Sequence, residues 1–78
     1  MNWDQLAGKW KQYRGSVKQK WGKLTDNDLD VIDGRRQVLV GKIQEHYGTA
    51  KDMAEKQVDE FVKALNSSQA AEKVRRHV

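Results

Sequence analysis

Apolar side chains recur at steps of three or four residues along the first 24 residues, and this spacing constrains the fold more than any other feature. An α-helix returns to the same face at those intervals, so the pattern predicts one amphipathic helix over 3–21. Gly22 is expected to end that helix in the left-handed conformation. The apolar stripe consists of Trp3, Leu6, Trp10, Tyr13, Val17, Trp21 and Leu24.

The downstream sequence predicts three further helices, over 26–32, 35–47 and 50–65. Thr25 and Thr49 precede two of them and are candidate N-caps, because a hydroxyl can accept a hydrogen bond from the first helical turn. The polar run at 66–68 interrupts the last apolar pattern, and 70–78 has the pattern of a short, frayed helix. The side chains expected in one core are Trp10, Tyr13, Val17, Leu39, Ile43, Val58 and Phe61.

The absence of proline and of alternating apolar and polar residues predicts an all-α fold. Glycines occur at 8, 15 and 22 and again at 34, 41 and 48, and a displacement of 26 residues superposes the two triplets. Trp21 then aligns with Tyr47. This repetition predicts a small four-helix domain of two related helical hairpins packed across one another.

Length and composition predict one small domain over 1–65, followed by a basic extension over 66–78. A chain of 78 residues is close to the size at which a single apolar core is marginally stabilising. It contains no cysteine, no apolar run of membrane-spanning length and no signal-peptide pattern at its N-terminus. We therefore expect a soluble, cytoplasmic protein.

Charge is distributed unevenly along the chain. Residues 1–24 carry six basic side chains and one acid, whereas 25–65 carry nine acids and six bases. At about 100° per residue, the six basic side chains border the apolar stripe on both sides. This pattern is typical of a helix that covers a core, which we expect here, and also of a helix bound to an anionic membrane. The candidate contacts for an anionic surface are Lys9, Lys11, Arg14, Lys18, Lys20 and Lys23.

Motifs for catalysis, metals and cofactors are absent from the sequence. The acids at 26, 28 and 30 alternate as in a calcium loop, but Val31 and Gln37 replace the glycine and the bidentate glutamate that such a loop needs. They are expected to cap a helix and to lie on a solvated face. His46 and His77 have no ligand set nearby and are expected at the surface. The acids from 45 to 60 are expected to pair with lysines on helix surfaces.

Four segments in order resemble the CsbD-like family of bacterial general stress response proteins. The segments are GKWKQYRG at 8–15, WGKLTDND at 21–28, LVGKIQEHYG at 39–48 and AEKQV at 54–58. The resemblance implies four helices in two roughly orthogonal hairpins, similar to SAM-like domains, and a cytoplasmic location. It implies no enzyme activity, cofactor or ligand, and it does not extend past about residue 65.

The function expected from this resemblance is that of a non-enzymatic general stress response protein, which acts by abundance, hydration or weak protein contacts. We expect weak protein contacts first among these, and a monomeric chain. The alternative is a weak, unspecific binding module for nucleic acid or anionic membrane, which uses the basic first helix. An enzyme is disfavoured because nucleophile, base, metal and phosphate-loop patterns are all missing from the sequence. Neither a catalytic residue nor a cofactor is predicted.

Overall fold

The computed structural model describes residues 2–76, and the side chains of 2–65. The described residues form five α-helices and no strand, so the prediction of an all-α fold is confirmed. In chain order the helices are α1 (Trp3–Gly8), α2 (Trp10–Lys20), α3 (Asp26–Ile32), α4 (Arg36–Tyr47) and α5 (Lys51–Arg76). Helix α4 packs against both α3 and α5. The arrangement as two crossed hairpins stays a prediction.

One apolar cluster holds these helices together. All seven side chains predicted to form the core belong to it, and each is at most 8% exposed. That prediction is confirmed because helical periodicity places these residues on the inner faces. The other members of the cluster are Leu6, Trp21, Leu24, Leu29, Ile32, Val40, Ala54 and Val62.

The predicted first helix is in fact two helices, which meet at Lys9. The backbone there has φ −119° and ψ 33°, and the Lys9 N–H donates to the Leu6 carbonyl at 3.0 Å. Gly8 lies directly before the break, where a glycine makes a helix easier to interrupt. The apolar spacing continues unchanged across the break, and so the periodicity did not reveal it.

The break allows α1 to lie against the turn between α3 and α4. The indole of Trp3 donates to the carbonyl of Gly34 at 3.0 Å, and its ring centroid lies 6.4 Å from that of Trp10. Gly34 has φ +79°, and a Cβ there would lie 3.2 Å from the Ala7 carbonyl. A glycine is therefore favoured both by the left-handed backbone and by the close approach of α1.

The glycines that follow the two long helices behave differently. Gly48 ends α4 with φ 64°, in the left-handed region. Gly22 is outside that region, and the prediction for it is wrong. Helix α2 ends at Lys20, and its C-cap is Trp21, whose N–H donates to the Val17 carbonyl at 2.9 Å.

The start and the end of α5 also differ from the sequence prediction. The helix begins at Lys51, which places Ala50 at the N-cap instead of Thr49, and the Ala50 carbonyl accepts from the Ala54 N–H at 3.0 Å. Along the described backbone, α5 continues to Arg76 without the interruption expected at 66–68. The side chains of 66–78 lie outside those described, and the domain boundary at residue 65 stays a prediction.

Candidate functional site

The six basic side chains singled out in the sequence lie on two flanks of the α1–α2 segment. We call Lys11, Arg14 and Lys18 the inner flank, because two of these side chains contact α3. We call Lys9, Lys20 and Lys23 the outer flank. The helical periodicity of the sequence already places these two groups on opposite sides of the apolar stripe, and the structure shows which of them faces α3.

The inner flank is largely neutralised by α3. Arg14 forms an ion pair with Asp30 at 2.7 Å, and Lys18 forms one with Asp26 at 2.9 Å. The hydrogen bond from Lys18 holds the pKa of Asp26 below its ordinary value. Arg14 and Lys18 are therefore engaged within the molecule, and of the inner flank only Lys11 is without an ion pair to a described residue.

The outer flank keeps its positive charge uncompensated. Lys9, Lys20 and Lys23 are exposed, and none forms an ion pair with any of the described side chains. Lys23 lies over the ring of Tyr47, with 5.0 Å from its ammonium nitrogen to the ring centroid. Its backbone N–H donates to the Tyr47 hydroxyl at 3.1 Å. These contacts hold the end of the flank in place without cancelling its charge.

The large aromatic side chains of α1 and α2 face inward. Trp10 is 6% exposed and Tyr13 is 8% exposed, and Trp21, just after α2, is 3% exposed. The Trp10 indole donates to the Leu29 carbonyl at 3.3 Å, and the Trp21 indole donates to the side-chain oxygen of Gln57 at 3.2 Å. The expectation that this stripe forms core is confirmed, and α2 presents none of these rings to solvent.

A polar cluster joins the start of α3 to the second half of α4. Thr25 and Asp28 cap α3 reciprocally: the Asp28 N–H donates to the Thr25 hydroxyl at 3.0 Å, and the Thr25 N–H donates to the Asp28 carboxylate at 2.9 Å. The same carboxylate lies 2.8 Å from His46 Nε2 and 3.5 Å from the Lys42 ammonium. The predicted cap is confirmed, but Asp28 is buried at 7% exposure instead of lying on a solvated face.

His46 is half-buried against Asp28, and the prediction that places it freely at the surface is wrong. The hydrogen bond from the Thr25 backbone is the main cause that lowers the pKa of Asp28 from 3.8 to about 2. His46 lowers it further, while burial opposes both. Asp28 is thus an ionised structural carboxylate at neutral pH and is not poised to exchange protons as a general acid.

A shallow groove of about 220 Å³ runs between α4 and α5. At its edge Arg36 pairs with Asp59 at 2.9 Å and lies 3.8 Å from Glu55. These acids were expected to pair with nearby lysines on their own helix, and they pair with an arginine of the neighbouring helix instead. The groove is lined by Arg36, Gln37, Val40, Gln44, Lys51 and Glu55.

The described residues bring together no group of three or more histidine and acidic side chains that could hold a metal ion. Within the same residues, no helix combines the length and the apolar character needed to cross a membrane.

Comparison with known proteins identifies the family. The sequence profile of the CsbD-like family matches residues 4–56. The UPF0337 protein YjbJ of Escherichia coli O6:H1 is 59% identical over 63 residues, which cover 81% of this chain and 91% of that protein. The UPF0337 protein RPA4217 of Rhodopseudomonas palustris is 58% identical over 65 residues, which cover 83% and 98% of the two chains. This chain belongs to the CsbD-like family.

Proposed function

We propose that this chain is a non-enzymatic protein of the bacterial general stress response, which acts in the cytoplasm through weak, reversible contacts of its folded surface with other proteins. The observation that carries the proposal is membership of the CsbD-like family, with a profile match over 4–56. The family resemblance links such chains to general stress and implies no catalysed reaction.

The side chains that a catalysed reaction could use are held in structural contacts, which supports the non-enzymatic part of the proposal. Asp28 has a lowered pKa and is held by Thr25 and His46, so it stabilises structure at neutral pH. Arg36 is occupied by two carboxylates at the edge of the groove. A catalytic acid or base instead needs a pKa near the working pH and an accessible substrate position.

A deletion strain tests this proposal. Cells without the gene are compared with the parent after osmotic shock, acid shock and starvation, and they are complemented with the wild-type chain. We expect lower survival in at least one stress and full rescue by the chain. A Gly15→Ala chain serves as a folded control and Trp21→Ala as a core-damaged one, because the first site is open and the second buried. Equal survival of deleted and parent cells under every stress would contradict the proposal.

A second candidate function is a weak binding module for anionic surfaces. The observation in its favour is that Lys9, Lys20 and Lys23 form no ion pair with described residues. At about 0.15 M salt the Debye length is only about 8 Å, so we expect little affinity under those conditions. Titration with DNA and with anionic vesicles at two salt concentrations tests this candidate. Failure of both to bind at low salt would exclude it.

A further inference from the structure

The outer flank has the dimensions and the chemistry of a phosphate-binding surface. Lys9 and Lys20 are eleven positions apart, which is about 16 Å along a helix. Gln12, Ser16 and Gln19 lie between them on adjoining positions of the helix surface and can donate hydrogen bonds. Residues 9–24 contain no acid that would repel an anion.

We infer that the outer flank binds the phosphate backbone of double-stranded nucleic acid without reading its sequence. The inference rests on the second proposed function, the anion-binding module, and names its partner. Lysine ammonium groups bind phosphates as point charges and release condensed counterions from the duplex. Glutamine and serine side chains donate further hydrogen bonds to phosphate oxygens.

The position of the aromatic side chains favours nucleic acid over a membrane. A helix that lies on a membrane inserts aromatic and aliphatic side chains between its lysines. Here Trp10 and Trp21 are buried at 6% and 3% exposure, and each indole is hydrogen-bonded inside the domain. Insertion would have to break these contacts, whereas a phosphate backbone needs only the exposed lysines.

The same face favours a duplex over a single strand. Proteins that bind single strands stack bases on exposed aromatic rings. The exposed ring near the outer flank is Tyr47, at 38% exposure, and it is covered on one side by Lys23. Base-specific recognition is disfavoured as well. An arginine guanidinium group can form a bidentate contact with guanine, but Arg14 lies on the inner flank and is paired with Asp30 of α3.

Fluorescence anisotropy of a labelled duplex DNA of mixed sequence, titrated with the full chain at several salt concentrations, tests the inference. Three lysine–phosphate contacts predict a slope of log K against log salt of about −2.7, hence an affinity about 40-fold lower at about 200 mM than at about 50 mM salt. The double variant Lys9→Gln, Lys20→Gln should retain a slope of about −0.9 and lose only about 3.5-fold over the same interval.

The matched control is Lys56→Gln, Lys63→Gln, which removes the same charge from exposed positions on α5. We expect its slope to equal that of the wild type, and circular dichroism to show all three chains equally helical. Equal slopes for the two double variants would overturn the inference. Binding would then depend on the overall positive charge, and the second proposed function would hold without this site. Binding to phosphatidylglycerol vesicles with a tryptophan blue shift, but not to duplex, would overturn it in favour of a membrane. Absence of binding to duplex, single strand and vesicles at low salt would refute the module as well.

Discussion

The two halves of the molecule share a sequence pattern but end their long helices differently. When the chain is displaced by 26 residues, Gly22 after α2 aligns with Gly48 after α4. Gly48 is left-handed at φ 64° and is itself the C-cap of α4, whereas Gly22 is outside that region and follows Trp21, the C-cap of α2. Aligned glycines thus adopt different backbone conformations.

The aligned aromatic residues differ in the same way. Trp21 is 3% exposed and its ring lies 5.1 Å from that of Phe61, while Tyr47 is 38% exposed and contacts Lys23. Asp28 aligns with Ala54, so a buried carboxylate in the first half corresponds to a buried methyl group in the second. The repeated spacing therefore specifies helices, while tertiary contacts decide what each aligned residue does.

The largest difference between the halves is expected at the aligned aromatic pair. Trp21→Ala should lower the free energy of unfolding by about 3–5 kcal/mol, since it leaves a cavity in the core. Tyr47→Ala should cost only about 1 kcal/mol, the size of one hydrogen bond. Urea titration followed by circular dichroism measures both, and Trp21→Phe serves as a milder variant if Trp21→Ala does not fold. Similar losses at the two sites would show that the aligned positions are equivalent after all.

A smaller loss of stability is expected from Asp28→Asn, which removes the buried charge that the first half has where the second half has Ala54. The pKa of Asp28 is about 2 in the folded chain and has an ordinary value of 3.8, so its charge stabilises the fold above about pH 3.8. That contribution is lost as pH falls towards 2. Thermal unfolding of the wild type and the variant should therefore differ at pH 7 and converge on acidification.

Asp52→Asn, an exposed carboxylate in the first turn of α5, is the control for this experiment. We expect it to change stability less than Asp28→Asn at pH 7. A difference between wild type and Asp28→Asn that stays constant from pH 7 to pH 2 would contradict the ionised role of Asp28.

A still smaller difference in the free energy of unfolding is expected between alanine variants of the aligned glycines at the helix ends. Gly48→Ala forces a Cβ into the left-handed region and should cost about 1 kcal/mol. Gly22→Ala has open space around the new Cβ and no left-handed backbone, so its effect should stay within about 0.5 kcal/mol. Urea midpoints measured side by side decide this, and an equal loss at both positions would remove the distinction between the two helix ends.

The smallest difference between the halves is expected at two aligned glycines inside the helices. Gly15 and Gly41 are aligned, both lie within helices, and a Cβ at either site meets open space. Each change to alanine should raise stability by about 0.5–1 kcal/mol. Gly8→Ala should gain less, because Gly8 is the last residue of α1, beside the break. Loss of stability at either helical glycine would indicate a close packing contact at that site.

The sequence predicted what depends on neighbours along the chain. Helical spacing was sufficient for the core, from Trp10 to Phe61, and the cap formed by Thr25 and Asp28 needs only four consecutive positions. The break at Lys9 escaped prediction because the apolar spacing is the same on both sides of it. On the N-terminal side of the break, α1 contacts Gly34, which is 31 positions from Trp3 in the sequence.

The candidate sites show the same limit. All six basic residues could be named from the sequence, and helical periodicity places Lys18 and Lys20 on opposite sides of the apolar stripe. It does not reveal that Lys18 pairs with Asp26 on α3, whereas Lys20 pairs with no described residue. The cluster of Asp28 and His46 spans 18 positions and carries no motif. Only the packing of α4 against α3 brings these two side chains together.

The hydrogen bond between Trp3 and Gly34 has a kinetic consequence. It spans 31 positions, whereas α4 contacts helices that adjoin it in the chain. Closing a loop of that length costs entropy that is offset only once the receiving turn exists. We therefore expect α1 to dock late in folding, after α3 and α4 have formed the turn that carries Gly34.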